Sequence, residues 1–323
     1  MRTKKPLVSI VIPTFNRVNL IGETVFSALS QSYENIEVIV LDNNSGDQTV
    51  DFLEKKFSAY DNLFIYKNLE TLPIVENWKK CVGFAKGEYL LILWSDDIID
   101  SSFIARTTDY LANHPNSAFV YSQTKIFTGD NKNEGKSVFR LEKEGELDKN
   151  IFINKSLLDP PLSVPVSPAN ALFRRSDVSK NLILDIPNNF NIDFRHIGQG
   201  NDNLIFLLSL NDYTSFGYIN DVLVYFRDHD ASITISTDSL MVNLRYHVAK
   251  AYFIDSADLN LEIISNFNMK YRLLALLVKL KFGKDYSLSN LYLNNKILKS
   301  NSYYIIKILH RYASNWINSR YRF

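Results

Sequence analysis

A chain of 323 residues, 46% apolar and 13% aromatic, can bury one large core or two smaller ones, and its composition is that of a globular protein. Eleven glycines and nine prolines, with no biased tract and no fixed period, exclude a collagenous segment, a flexible array and a solenoid. The net charge of +1 conceals a split: residues 269–323 hold eleven of the 36 Lys and Arg but one acid, Asp285, so this stretch is +10 and the remainder −9.

In chain order, Arg2, Lys4 and Lys5 are followed by an alternating apolar strand pattern rather than by a leader with a small-residue cleavage site. That strand, residues 7–13, ends at the turn Pro13-Thr14-Phe15-Asn16, after which Ile21, Val25 and Leu29 recur at helical spacing. Residues 36–41 repeat the strand signal. The polar break at residues 42–47 then starts a helix through Phe52, Leu53 and Phe57. A short strand at 63–66, a helix at 74–85 and an almost wholly apolar strand at 88–94 follow, the last of the kind found inside a covered sheet. Asp96 and Asp97 end it. The lone Cys81 lies in the third helix, where a buried thiol in a reducing cytoplasm is expected.

Residues 123–165, rich in Lys, Glu, Gly and Asn and closing on Asp159-Pro160-Pro161, are expected to be loop-rich. Regular signals return at 169–173, with a helix at 203–210, strands near 216–219 and 222–226, and a helical pattern from Thr237 onward. Within it, a helix over residues 303–318 would put Ile305, Leu309, Tyr312 and Trp316 on one side and Lys307, Arg311, Ser314 and Asn318 on the other. It either packs on the body or lies in the interface of an anionic membrane, and both hold together if its basic rim faces lipid. Apolar runs are too short for a bilayer span, and no nucleic-acid motif accompanies the charge.

Alternating strands and helices imply right-handed crossovers and a mainly parallel, Rossmann-like α/β sheet with flanking helices and a C-terminal helical appendage. The ligand cleft of such a sheet lies at the carboxyl ends of its strands. Residues 13–17, 42–47 and 95–97 all fall at such ends and should converge there. A diphosphate leaving group needs its charge neutralised, and a hard cation held by carboxylates does this. Alone, Asp96-Asp97 reads equally well as a solvated turn or as a cap for the helix starting near Ser101.

The succession Val8-Ser9-Ile10-Val11-Ile12-Pro13-Thr14-Phe15-Asn16-Arg17, Gln31-Ser32-Tyr33, Val40-Leu41-Asp42-Asn43-Asn44-Ser45 and Ala85-Lys86-Gly87-Glu88-Tyr89, leading into Ser95-Asp96-Asp97, resembles glycosyltransferase family 2 over residues 6–105. The resemblance implies a GT-A fold and an inverting transfer from a nucleotide diphosphate sugar to a saccharide or lipid-linked saccharide, as in bacterial surface polysaccharide assembly at the cytoplasmic face of a membrane. It implies a nucleotide-sugar-binding half, expected over 1–122, and an acceptor half, expected over 123–236, after which the helical, basic pattern makes 237–323 a separate C-terminal region. Pro13, Thr14, Phe15, Asn16, Arg17, Asp42, Asn43 and Ser95 would then line the donor, Asp96 would approach the ribose, and Asp97 would hold Mg2+ or Mn2+. Asn43 stands where the family is often acidic.

An inverting transfer also needs a carboxylate to take the acceptor proton. The segment Gly200-Asn201-Asp202-Asn203-Leu204 resembles the family's acidic motif, with Asn201 where Glu is frequent, so Asp202 is the expected base and Asp193 its reserve; as a bare sequence, Asp202 is also a helix cap. In Val224-Tyr225-Phe226-Arg227-Asp228-His229, Arg227 and His229 fall on one side of an extended chain and would face the diphosphate, His229 as a third metal ligand or a phosphate contact. Ser232 and Thr234 follow on a loop that would close over the donor. Asn170, in a segment resembling the family's acceptor border, is the expected acceptor contact.

Two other classes of function compete. A non-catalytic nucleotide-sugar-binding module is consistent with Asn43 and Asn201. A dinucleotide-dependent oxidoreductase is disfavoured because the first strand-to-helix turn contains no glycine.

Overall fold

The computed structural model describes residues 5–129, 131–229 and 237–294. The expected helix at 303–318 and the loop residues Ser232 and Thr234 lie outside them. The chain divides into two compact units, Met1–Ile186 with Asp193–Ser236, and Pro187–Ile192 with Thr237–Phe323.

The first unit opens with β1 (Val8–Thr14), α1 (Ile21–Leu29), β2 (Ile36–Asp42), α2 (Thr49–Lys56), β3 (Leu63–Lys67), α3 (Ile74–Gly83) and β4 (Tyr89–Ile92). β1 pairs in parallel with β2 and with β4, and β2 with β3, as three β-α units should. β1, β2 and β4 are buried along their whole length, which is why they read as continuous apolar runs. Cys81 is fully buried, its thiol pushed up by desolvation.

Beyond β4 the sheet becomes mixed. The chain makes β5 (Ile98–Ile99), α4 (Phe103–Asn113), β6 (Ser117–Thr128), β7 (Lys136–Val138), β8 (Gly145–Asp148), α5 (Lys149–Leu158), β9 (Ala171–Arg174), α6 (Arg175–Asn181), α7 (Asn201–Ser209) and β10 (Ser215–Asp228). The strand order is β3-β2-β1-β4-β9-β6-β10-β5, with β7 on β6 and β8 on β10. β6 and β10 are parallel, whereas β9 runs antiparallel to both β4 and β6. The stretch expected to be loop-rich thus holds the end of β6, two short strands and a helix. The two strands expected near 216–226 are a single one, because register shifts between Ile219 and Val222 carry exposed Asn220 and Asp221 through an irregularity without ending the ladder.

Under this half of the sheet Phe119, Phe152, Phe173, Phe206 and Phe216 pack with ring centroids 4.9–5.8 Å apart. Such aromatic pairs add about 0.5–1.5 kcal/mol each beyond their burial. The second unit contains α8 (Ser239–Ser256) and α9 (Leu261–Phe282), capped at their N-termini by the side chains of Asp238 and Asn260.

Candidate active site

The loop after β1 and the loop after β2 are stitched together at the carboxyl edge of the sheet. Asn16, at a φ of 52°, accepts from the Gly46 N–H at 3.0 Å and its own N–H donates to Ser45 Oγ at 2.7 Å. The Arg17 and Val18 N–H groups reach Thr49 Oγ1 and Asp47 Oδ2 at 3.2 and 3.0 Å. Burial opposes the Asp47 charge, but hydrogen bonds from Thr49 and Val18 outweigh it and hold the carboxyl below its usual range. Behind these loops Asp42 is fully buried; its Oδ2 accepts from the Ser45 N–H at 2.7 Å, while Oδ1 has no hydrogen bond. The Asn43 amide is committed inside the protein, bridging the Leu72 N–H and carbonyl at 2.9 Å each and accepting from Asn68. Pro13 and Thr14 are buried in β1, and Phe15 is exposed beside them.

The acidic pair lies in the turn between β4 and β5, closed by the Asp97 N–H on the Trp94 carbonyl at 3.2 Å. It does not cap α4, because Asp100 accepts from the Ser102 N–H and hydroxyl at 2.9 and 2.6 Å. Asp96 Oδ2 accepts from His229 Nε2 at 2.9 Å and lies 3.8 Å from Arg17 Nε. Asp97 is buried, and its Oδ1 accepts from the Arg227 N–H at 3.1 Å. Burial, and next the Asp96 charge, push the Asp97 carboxyl well above the carboxylate range, while the Arg227 N–H and charge act against the rise. Ser95 is buried between Trp94 and the pair.

Arg227 and His229 do not use their side chains alike. The Arg227 guanidinium bonds Glu23 on α1 and the Gly129 carbonyl, over the Phe127 ring, so the backbone of Arg227, rather than its charged head, meets the acidic pair. Glu23, 204 residues away in sequence, was not expected in the site; as an ordinary surface acid of an amphipathic helix it carries no local signal.

Asp202 lies in the first turn of α7, one residue after the helix begins, and its Oδ1 accepts the Gly200 and Asn203 N–H groups at 2.9 and 2.8 Å. Asn201 is buried and donates to the Ile183 carbonyl at 2.7 Å. Asp193, by contrast, is exposed and clasped by Arg195 and His196 at 3.0–3.1 Å. These bonds, that from Arg195 foremost, hold it down at about 2. Asn170 is fully buried and donates to the Ser122 carbonyl and Thr124 Oγ1 at 3.2 and 3.0 Å, which ties the start of β9 to β6.

Two tryptophans join these parts. Trp94 packs on Trp78 with centroids 4.6 Å apart and donates from Nε1 to Ser167 Oγ at 2.7 Å. Trp78 in turn covers Gly198, where a Cβ would come within 2.5 Å of the indole, and the Gly198 carbonyl receives the Asp202 N–H at 3.5 Å. The turn of the acidic pair and the loop of Asp202 therefore share an aromatic wall. The rarity of tryptophan in the sequence was the available signal for it.

The fold is of the GT-A type. It is similar to the S. aureus TarS 1–349 structure in complex with UDP-GlcNAc, with a TM-score of 0.65 and 21% identity over 85% of this chain and 76% of that one. Residues 9–182 match Glycosyl transferase family 2, and the chain belongs to that family. Among curated relatives, an uncharacterized glycosyltransferase of Haemophilus influenzae is 25% identical over 54% of this chain and 53% of its own length. The GalNAc(5)-diNAcBac-PP-undecaprenol beta-1,3-glucosyltransferase of Campylobacter jejuni is 30% identical over 46% of this chain and 48% of its own. The chain thus spans about half the length of these relatives.

Proposed function

We propose that this chain transfers a sugar, with inversion, from a nucleoside diphosphate donor to a saccharide or lipid-linked saccharide acceptor in surface polysaccharide biosynthesis. The observation that carries the reading is the buried carboxylate Asp97, beside Asp96 and next to the stitched loops of Asn16 and Asp42 at the carboxyl edge of the sheet. Support comes from the family match, from TarS being solved with UDP-GlcNAc, and from the Campylobacter relative, whose name specifies an undecaprenyl diphosphate acceptor. Residues 1–122 form the donor half, 123–236 the acceptor half with the base, and 237–323 the basic C-terminal region that holds α8 and α9.

Among the described residues no three His, Cys, Asp or Glu side chains form a metal cluster. A site of one or two carboxylates completed by substrate phosphates fits Mg2+ or Mn2+, and a buried Asp97 whose charge is disfavoured by its surroundings is the donor that gains most from a cation. When bound, the ion neutralises the leaving diphosphate. Asp97 holds it, Asp96 is oriented toward the ribose by His229 and Arg17, and Phe15 with the Asn16 and Asp42 loops borders the base. Asn43 acts at one remove, by holding Leu72. Arg227 sets the height of Asp97 through its backbone N–H. The Trp78 and Trp94 indoles form the wall against which the acceptor sugar lies, and Asn170 fixes the floor beneath it.

Asp202 takes the acceptor proton. Its two backbone hydrogen bonds use Oδ1 and fix the carboxylate plane. Asp193 is the poorer base because Arg195 and His196 already hold its charge.

A thermal-shift screen of UDP-, GDP- and TDP-sugars with and without Mn2+ tests the reading, because a ligand that binds the folded state raises its stability. At least one donor should raise the melting temperature in an Mn2+-dependent way, and that donor should support transfer to a lipid diphosphate saccharide. A flat response across the panel argues against the reading, as does binding with neither transfer nor hydrolysis.

A further inference from the structure

In the second unit, α9 buries Phe267, Tyr271, Leu274 and Val278 and leaves a second apolar face in solvent. Leu273, Leu276, Leu277 and Leu280 are 62, 52, 44 and 75% exposed. Their spacing of three, four and seven residues puts them on one stripe of the helix. At 100° per residue, Arg272 and Lys279 line one flank of that stripe and Lys270 and Lys281 the other. Lys284 follows the helix, and from residue 269 to 284 there is no acid.

A soluble surface helix normally carries charge opposite its core face, not four leucines in a row of neighbours. Leucines in the middle with cations along both edges are the pattern of a helix lying flat in a lipid headgroup layer. No helix among the described residues is long and apolar enough to cross a membrane, so this one would lie on the surface rather than span it. Lys279 pairs with Asp285 at 3.3 Å and Lys281 with Asp238 at 2.6 Å. Both pairs are exposed, contribute little in water and can be exchanged for lipid phosphate. Six more Lys and Arg follow in residues 285–323 against one acid, Asp285, and add attraction to an anionic surface.

We infer that the leucine stripe of α9 is a docking face for an anionic phospholipid surface, with the leucines in the acyl boundary and the flanking Lys and Arg at the headgroups. The face is independent of the chemistry of transfer, and its test needs no sugar nucleotide.

The full chain is floated with vesicles of phosphatidylglycerol mixed with phosphatidylcholine, and with vesicles of phosphatidylcholine alone. It should float with the first far better than with the second. The quadruple variant Leu273→Ser, Leu276→Ser, Leu277→Ser, Leu280→Ser should lose at least about tenfold in partitioning. It should keep its melting temperature and its transfer to a short water-soluble acceptor, since these side chains are outside the core. Should the quadruple variant fold poorly, Leu280→Trp gives the same answer: its added fluorescence should shift to the blue on mixing with anionic vesicles. Unchanged flotation of the quadruple variant, or an unshifted emission from the Leu280→Trp variant, overturns the proposal and leaves residues 295–323 as the source of any binding. Absence of flotation by the parent chain, with dimers in light scattering that the quadruple variant abolishes, overturns it in favour of a second copy as the occupant.

Discussion

The backbone N–H of Arg227 donates to Asp97 Oδ1 at 3.1 Å, joining the acidic turn to a strand 130 residues later in sequence. Asp97 is thus held from outside its own β-α unit, in a place where burial works against its charge. Asp97→Asn keeps a hydrogen-bond acceptor for Arg227 but removes the anion. It should abolish the Mn2+-dependent part of donor stabilisation and lower kcat/KM by about 100-fold or more, as loss of several kcal/mol of charge stabilisation implies. Calorimetry with donor in the presence and absence of Mn2+ checks the first part, and turnover checks the second.

Asp202 and Asp193 make a paired test of the base. Asp202→Asn should leave donor binding intact and lower kcat by about 100- to 10,000-fold, the range that general base catalysis supplies. Asp193→Asn should change kcat by less than about threefold, since that carboxylate already faces Arg195 and His196. Equal losses in the two variants would contradict the assignment.

Gly87 explains a piece of the family pattern in steric terms. A Cβ there would stand 2.7 Å from the Ser9 nitrogen and 2.8 Å from the Leu7 carbonyl, both backbone atoms of the neighbouring strand segment. Its N–H donates to Ser9 Oγ at 2.8 Å, and Ser9 Oγ in turn donates to buried Glu37. Gly87→Ala should therefore cost about 1–3 kcal/mol of stability through overpacking, read as a lower denaturant midpoint.

His247, in α8, supplies a pH signal apart from the active site. Desolvation first, then the Lys250 charge, lower it from the ordinary value to about 4, although its Nδ1–H donates to the Asn243 carbonyl at 2.7 Å. The ring also stacks on Phe267 at 5.3 Å. The unfolded chain binds the proton more readily, so the stability this group contributes is complete above about pH 6.5 and is lost as pH falls toward 4. Between pH 7.5 and 5 the loss amounts to at most about 2 kcal/mol. His247→Gln should flatten that part of the pH profile in denaturant titrations.

The first half of the fold was legible because its signals are local. β1, β2 and β4 are buried on both faces and read as apolar runs, and the loops of Pro13 to Arg17 and of Asp42 sit where those runs stop. β6 was partly hidden, since its polar end Thr124 to Thr128 takes strand form only by pairing with β10 and β7. In β10 the exposed Asn220-Asp221 looks like a turn by composition, and only the partner strand carries the ladder across it. The same limit applied to the site. Asp96 and Asp97 could be found from their place at the end of the apolar run of β4 and from the family resemblance, but Glu23 under Arg227 and Trp78 over Gly198 are relationships between distant segments.

The family match ends at residue 182, yet two of the contacts to the acidic pair come from Arg227 and His229, in and just after the last strand of the sheet. During synthesis the loops after β1 and β2 and the acidic turn are all made before β10, which alone can bring Arg227 to the pair. A chain ending within α7 would therefore carry both loops and both carboxylates without the contacts that Arg227 and His229 bring to the pair.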